Sequence, residues 1–350
     1  MRILIIGGTR FIGPHVVRRL YASGHEIALF HRGQTQADLP AGVRHILGDR
    51  RHLVDFRGEF ERFAPQVVLD MIPADEHDAR DVVHTFKGIA GRAVAISSQD
   101  VYRAYGVLIG IEPGPIEPVP LAEDAPLRQV RYPYRDRAKG PQDRMYEYEK
   151  IWVESVIMGD PGLPGTILCL PMVYGPRDPQ HRTFEYLKRM DDGRPAIVLG
   201  EGMARWRWTK GYVENVAAAI ALAVSDDRAA GRVYNVGERA TLTEAEWVRA
   251  IGEAAGWKGQ VVVVPDDGGQ VRRLPGHLAA GIRTDQHLVT DATRIREELG
   301  YAEPVSREDA LRRTVAWERA YPPEQPDPQI FDYAAEDALL AELEWRGGDE

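Results

Sequence analysis

The chain contains almost no cysteine and no long hydrophobic run. Cys169 is the single cysteine among 350 residues, which excludes an intrachain disulfide and a multi-cysteine metal site, so we expect no bound metal and a reducing compartment. The longest purely apolar stretch, residues 216–224, is nine residues long, whereas a membrane helix needs about 20. The apolar run that ends at residue 6 stops at two glycines, too early for a secretory signal. We therefore expect a cytoplasmic protein without a membrane span.

The net charge of −9 gives no global attraction to nucleic acid. What the sequence does contain is a regular alternation of short apolar runs and amphipathic segments over its first hundred residues, which is typical of β-α-β units. We predict an α/β fold: a Rossmann-type doubly wound parallel sheet with a smaller C-terminal α/β substrate lobe. The predicted strands are residues 3–6, 26–30, 44–47, 67–71, 93–97, 166–170, 233–236 and 260–264, and the predicted helices include 76–86, 144–158, 243–255 and 291–299.

Three regions follow from this pattern. Residues 1–170 form the predicted dinucleotide-binding domain, which the chain rejoins near 212–237, and residues 171–320 form the substrate-binding lobe. Residues 321–350 are a proline-rich connector and an acidic helical tail. Its apolar stripe (Phe331, Leu339, Leu340, Leu343 and Trp345) predicts that the tail docks on the protein. The segment 103–141 is predicted to be a long surface loop, which either covers a substrate or is a plain surface excursion.

A glycine loop follows the first predicted strand and precedes a helix. Gly7-Gly8-Thr9-Arg10-Phe11-Ile12-Gly13 has the context in which backbone approaches a dinucleotide diphosphate at a helix N-terminus. The loop resembles that of the extended short-chain dehydrogenase/reductase family, also described as NAD-dependent epimerases/dehydratases. Arg10 replaces the middle glycine, as in an atypical branch that includes chloroplast stem-loop RNA-binding proteins.

The second predicted strand ends at His31 and Arg32, where an NAD site normally has an acidic residue. Together with Arg10 these residues predict NADP, with NAD as the alternative; Arg32 as a solvated turn residue is the competing interpretation. The resemblance implies that Asp49 holds the adenine amino group and that Lys150 binds the nicotinamide ribose. The predicted cofactor residues are Gly7, Thr9, Arg10, Phe11, Ile12, Gly13, His31, Arg32, Asp49, Arg50 and Lys150.

Three residues carry the predicted chemistry by resemblance. Ser98 directly follows the fifth predicted strand, four residues before Tyr102, and Tyr146 with Lys150 forms the family's Tyr-x-x-x-Lys pair. On a helix this spacing places both side chains on one face, where an ammonium favours the phenolate. Tyr148 is offset by two positions and is the less expected acid–base residue.

The leading interpretation is an NAD(P)-dependent epimerase or oxidoreductase acting on a carbinol or carbonyl carbon, above all of a nucleotide sugar, with Arg205, Arg207 and Lys210 as candidate diphosphate ligands. Gln99-Asp100 stands where 4,6-dehydratases of the family have Asp-Glu, which disfavours dehydration. The alternatives are an NADP-dependent reductase of another small carbonyl compound and an RNA-binding protein. We also expect a homodimer, built on the apolar residues Ile151, Val153 and Ile157.

Overall fold

The protein is built on one parallel sheet with helices packed against it. The structure, a computed structural model, describes residues 1–266 and 282–347. The strands are β1 (Arg2–Ile6), β2 (Glu26–His31), β3 (Arg44–Leu47), β4 (Val67–Asp70), β5 (Arg92–Ser98), β6 (Gly165–Leu170), β7 (Met172–Tyr174), β8 (Ala196–Gly200), β9 (Lys210–Tyr212), β10 (Arg232–Asn235) and β11 (Gln260–Val264). The helices are α1 (Ile12–Ala22), α2 (Arg57–Phe63), α3 (Glu76–Phe86), α4 (Arg103–Leu108), α5 (Lys150–Gly159), α6 (Phe184–Asp191), α7 (Glu201–Arg205), α8 (Val213–Ser225), α9 (Glu244–Ala255), α10 (Thr293–Leu299), α11 (Arg307–Ala320) and α12 (Tyr333–Gly347). Among the described residues no helix is both long and apolar enough to cross a membrane.

The main sheet has seven parallel strands in the order β3-β2-β1-β4-β5-β6-β10, which confirms the predicted Rossmann-type fold. β1 lies in the centre because four of its five residues are buried apolar side chains, as a strand covered on both faces requires. Ile3 pairs with Ile27 on one side and with Val67 on the other. The carboxyl ends of β1, β2, β4 and β5 therefore meet at one edge, where this fold binds its ligands.

Two parallel strand pairs, β8 with β11 and β7 with β9, lie outside the main sheet. The N-terminus of α9 carries a capping box between Thr243 and Glu246, which satisfies two backbone groups that a helix end leaves unpaired. Beyond Pro328 the chain folds back, and α12 contacts α6. Arg189 and Glu336 form a buried ion pair at 2.9 Å, and Leu339 is buried. The tail thus docks on its own chain, while the side chains of Leu343 and Trp345 lie outside those described.

Helix α5 begins at Lys150, six residues later than predicted. The reason is Glu149, whose backbone is extended and whose carboxylate caps the helix by accepting the Ile151 N–H at 3.0 Å. The same carboxylate forms a fully buried ion pair with Arg128 at 2.9 Å and accepts the Tyr132 N–H at 2.7 Å. The preceding segment is therefore held to the long connection and cannot continue the helix backwards.

The long connection 103–141 is not only a surface loop. Its first residues form α4, and Arg128 is completely buried. The apolar residues predicted to form a dimer surface are likewise inside the protein: Ile151, Val153 and Ile157 are at most 5% exposed and belong to the core. They leave no apolar surface on that face of α5, and the homodimer stays a prediction without this support.

Candidate active site

The glycine loop has the backbone geometry that a dinucleotide site needs. Gly7 has φ of 87°, a conformation that side chains rarely adopt. A Cβ on Gly13 would lie 2.4 Å from the backbone of Gly8, so only glycine lets α1 approach the loop this closely. The N-terminus of α1 then points its unpaired N–H groups towards a cavity of about 680 Å³.

The predicted cofactor residues, apart from Lys150, line this single cavity. They are Gly7, Thr9, Arg10, Phe11, Ile12, Gly13, His31, Arg32, Asp49 and Arg50. The cavity runs along the carboxyl ends of β1, β2 and β4, and its volume is in the range of small-molecule and cofactor sites. The residues present therefore fit a bound dinucleotide.

At the end of β2 the side chains form a basic, hydrogen-bonding patch. The Arg10 Nε donates to the Thr35 hydroxyl at 3.1 Å. His31 Nδ1 accepts the Gly33 N–H at 3.1 Å, which leaves its proton on Nε2, 2.8 Å from His45 Nδ1. Burial and the neighbouring His45 lower the pKa of His31. Arg10 and Arg32 supply the positive charge of this patch.

Asp49 and Arg50 are engaged with protein groups. The Asp49 carboxylate accepts the Arg51 backbone N–H at 3.0 Å and pairs with the Arg51 guanidinium at 2.8 Å, and these bonds lower the pKa of Asp49 to about 2. Arg50 pairs with Asp70 at 2.9 Å and with Asp78 at 2.7 Å. It holds the end of β4 to α3 and carries no net positive charge into the cavity.

Ser98, Tyr148, Asp100 and Lys150 come together at the carboxyl end of β5. The Ser98 Oγ accepts the Asp100 N–H at 3.3 Å and caps the turn that follows, and the Ser98 hydroxyl also bonds to the Tyr148 phenol. The Lys150 ammonium lies 5.5 Å from the centre of the Tyr148 ring. It donates to the carbonyl oxygens of Pro73 and Ile96, the latter at 2.8 Å.

Burial shifts the pKa values of Lys150, Tyr148 and Asp100. It lowers the pKa of Lys150 to about 8. It also raises the pKa of Tyr148 well above the usual value, and the negative charge of Asp100 adds to this, whereas the nearby Ser98 hydroxyl lowers it. The pKa of Asp100 is itself raised by burial, against the effect of Arg128. The Tyr148 phenol therefore holds its proton at neutral pH.

Tyr146 lies outside this group of side chains. It sits in a turn before α5 rather than on the helix, so the four-residue spacing does not place it on one face with Lys150. Its ring packs against the Arg135 guanidinium, whose carbon lies 4.9 Å from the ring centre. Arg135 Nε also donates to the Tyr146 carbonyl oxygen at 3.2 Å. The role of Tyr146 as acid–base residue stays a prediction.

Sequence reasoning missed two tyrosines that approach Asp100. The Tyr134 hydroxyl donates to Asp100 Oδ2 at 2.9 Å, and the Tyr105 hydroxyl donates to the Tyr134 oxygen at 2.9 Å. Both come from the long connection, and nothing in their spacing signals the contact. Gln99 is neutral and already engaged: its side-chain oxygen, in the orientation that satisfies its neighbours, accepts from the Trp208 indole N–H and the Met172 N–H.

Two of the three candidate diphosphate ligands are neutralised. Lys210 is buried and pairs with Glu244 at 3.0 Å, and Arg205 pairs with Glu201. Arg207 is exposed. The role of Arg205, Arg207 and Lys210 as diphosphate ligands stays a prediction.

The sequence matches the "NAD dependent epimerase/dehydratase family" over residues 3–97 and 128–237, more than half of the chain. The chain belongs to this family. It is an enzyme of the short-chain dehydrogenase/reductase type, as the resemblance of its loop and strand motifs implied.

Its relatives differ in what their names describe. The 2'-dehydrokanamycin reductase of Streptomyces kanamyceticus is 27% identical over 274 residues, 76% of this chain and 70% of that protein. The chloroplast stem-loop binding protein of 41 kDa b of Arabidopsis thaliana is 22% identical over 317 residues, 86% of this chain and 74% of that protein. The structure of DesIV, a dTDP-glucose 4,6-dehydratase of Streptomyces venezuelae solved with NAD, superposes with a TM-score of 0.65 at 21% identity, covering 92% of this chain and 98% of that one.

Proposed function

We propose that this family member is an NADP-dependent enzyme that interconverts a carbonyl and a carbinol carbon of a sugar, with nucleotide sugars as the first substrate class to test. The observation that carries the proposal is the meeting of Ser98, Tyr148 and Lys150. None of the three lines the dinucleotide cavity itself, but Tyr148 directly follows the lining residue Glu147, and Lys150 donates to the Pro73 carbonyl, between the lining residues Ile72 and Ala74. A bound nicotinamide supplies the hydride donor and acceptor of such a reaction. The nucleotide-sugar class is supported by the family and by the dehydratase whose fold the chain shares.

The side chains at the end of β5 bind the substrate oxygen, transfer its proton and place a positive charge beside the phenol. Ser98, whose hydroxyl lies within hydrogen-bonding reach of Tyr148, would turn to hold the substrate oxygen, and Tyr148 exchanges a proton with that oxygen. Lys150 holds positive charge next to the phenol and would bind the nicotinamide ribose. The Tyr148 phenol is protonated at neutral pH. In reduction it would give this proton to the substrate oxygen as that oxygen gains negative charge, and in oxidation the proton would pass back.

NADP rather than NAD is proposed because positive groups end β2 where an acidic residue would bind a ribose hydroxyl. Arg10 and Arg32 lie on the same wall of the cavity as His31. Two guanidinium groups at this place match the charge and geometry of a 2′-phosphate. Dehydration is disfavoured because Gln99, in the position of an acid, is uncharged and bonded to Trp208 and Met172.

The test begins with mass spectrometry of ligands released from the purified protein. The protein is then incubated with NADPH and with oxo-sugars, both nucleotide-linked and free, while nicotinamide absorbance and product stereochemistry are followed. Consumption of NADPH with formation of a carbinol supports net reduction, and inversion without net consumption supports epimerisation. Failure to bind either dinucleotide, together with salt-sensitive retention of RNA, would instead favour the nucleic-acid alternative.

A further inference from the structure

One wall of the dinucleotide cavity is formed by residues 141–147, which we name the flap. Pro141, Gln142, Asp143, Arg144 and Glu147 all line the cavity together with the glycine loop. The flap directly precedes Tyr148 and α5. A dinucleotide in the cavity would thus contact the segment that leads into the active site.

Arg144 reaches from the flap to the glycine-loop end of the cavity. Its guanidinium donates to the carbonyl oxygen of Ile72, just after β4. The side chain of Ile72 lies against Gly7, because a Cβ added there would be 3.1 Å from it. Gly7 starts the loop on which a dinucleotide's diphosphate rests. Arg144 therefore stands at the diphosphate end of the cavity.

The charges lining the cavity distinguish Arg144 from other arginines. Arg50 and Arg51 are neutralised by Asp70, Asp78 and Asp49. Arg10, Arg32 and Arg144 form no ion pair with any carboxylate in residues 1–266 or 282–347. With Arg10 and Arg32 at the end of β2, Arg144 is the remaining unneutralised arginine of the cavity wall. A guanidinium without an acidic partner is suited to a phosphate.

The flap itself has a defined local shape. The Asp143 carboxylate accepts the N–H groups of Lys139 and Met145, both at 3.0 Å, which closes a turn around Arg144. At the other end Arg135 pairs with Glu147 at 2.9 Å and donates to the Tyr146 carbonyl oxygen at 3.2 Å. These contacts hold the two ends of the flap to the connection, and a ligand bound at Arg144 would add an attachment between the flap and the cavity.

We infer that Arg144 binds the diphosphate of the nicotinamide dinucleotide and that the bound cofactor thereby fastens the flap. This inference rests on the dinucleotide binding of the proposed function. It makes Arg144 a cofactor-binding residue and makes cofactor loading a condition for ordering the chain that enters the active site at Tyr148. NAD and NADP share the diphosphate, so Arg144 contributes equally to both.

The experiment compares wild type, Arg144→Ala, Arg144→Lys and the control Arg137→Ala, an exposed arginine of the same connection that does not line the cavity. Dissociation constants are measured for NADPH, NADH and adenosine 2′-monophosphate, which lacks the diphosphate. We expect Arg144→Ala to weaken both dinucleotides about 10- to 100-fold and to leave the monophosphate unchanged. Arg144→Lys should lose less affinity for the two dinucleotides than Arg144→Ala, and Arg137→Ala should bind them as wild type does.

Hydrogen exchange gives a second readout that is independent of turnover. In wild type, NADPH should slow exchange of the amides of residues 141–147, and in Arg144→Ala this protection should disappear at saturating NADPH. Unchanged affinity for both dinucleotides, or loss confined to NADPH, would overturn the assignment of Arg144 to the diphosphate. If wild type binds neither dinucleotide, the proposed function itself fails, and the inference with it.

Discussion

The ammonium of Lys150 lies 5.5 Å from the ring centre of Tyr148, although Tyr146 is the tyrosine at the family's spacing. This relationship follows from where α5 begins. Because the helix starts at Lys150 and Glu149 before it is extended, Tyr148 contacts Ser98 and Asp100, while Tyr146 packs against Arg135. The acid–base residue can therefore be decided by comparing two conservative variants.

We expect Tyr148→Phe to lower kcat by about 10²- to 10⁴-fold, the usual contribution of general acid–base catalysis. Tyr146→Phe should stay within about 10-fold of wild type, since its ring and carbonyl contacts with Arg135 do not need the phenol oxygen. NADPH dissociation constants should be unchanged in both, whereas Lys150→Ala should damage turnover and affinity together. The reverse pattern, with Tyr146→Phe inactive and Tyr148→Phe active, would restore the assignment that the spacing suggested.

Arg32→Ala should weaken NADPH about 10- to 100-fold while changing NADH less than about threefold, because only NADPH carries a 2′-phosphate for the guanidinium to bind. Titration of both dinucleotides by nicotinamide fluorescence measures this ratio. Arg51→Ala is the matched control, since Arg51 is exposed and already paired with Asp49. Equal losses for NADPH and NADH in Arg32→Ala would contradict the proposed NADP preference.

Glu154 predicts a pH dependence of stability. Burial raises its pKa to about 7, although the Ser97 hydroxyl and the Cys169 thiol, which both bond to its carboxyl group, lower it. Between pH 5 and 7 the folded state keeps a proton that the unfolded chain releases, so this group lowers stability as pH rises through that window. The difference in free energy of unfolding between Glu154→Gln and wild type should therefore shift in favour of the variant by on the order of 2 kcal/mol from pH 5 to pH 8.

Urea unfolding of both proteins at pH 5 and pH 8 measures the change. Glu61→Gln, at an exposed glutamate of α2, serves as the control and should show no such difference. If the difference in free energy of unfolding between Glu154→Gln and wild type is the same at both pH values, Glu154 titrates like an exposed carboxyl group.

Glu336→Ala should destabilise the protein by about 2 kcal/mol, because it removes the closer of two acidic partners of the buried Arg189 guanidinium and leaves only Glu185 at 3.4 Å. Asp337→Ala, which removes a 60% exposed carboxylate next to it, should cost less than about 1 kcal/mol. Thermal unfolding measures both. Truncation after Pro328 should lower the midpoint as well, and light scattering on the same samples tests the predicted homodimer. Equal effects of the two single substitutions would show that the ion pair does not anchor the tail.

The sequence by itself determined the features that depend on local pattern. The strands β1 to β6, the glycine loop and the position of Ser98 at the end of β5 are visible because buried parallel strands are short apolar runs and because positive φ at Gly7 and close approach at Gly13 require glycine. The position of His31 and Arg32 in the cavity wall was predicted in the same way, because the residues that follow a parallel strand lie at its carboxyl end.

Only the tertiary structure decided which tyrosine meets Lys150 and where Arg144 reaches. Both depend on Glu149, whose carboxylate is drawn to the buried Arg128, 21 residues earlier in the chain, and caps α5 at Lys150. The helical spacing of apolar residues in the sequence predicts a helix that continues through residue 149. That spacing depends only on residues close together in the chain, so it cannot show a distant partner that folding brings into contact. The contacts of Tyr134 with Asp100 and of Glu336 with Arg189 could not be predicted from the sequence either, because each joins residues that are far apart in the chain.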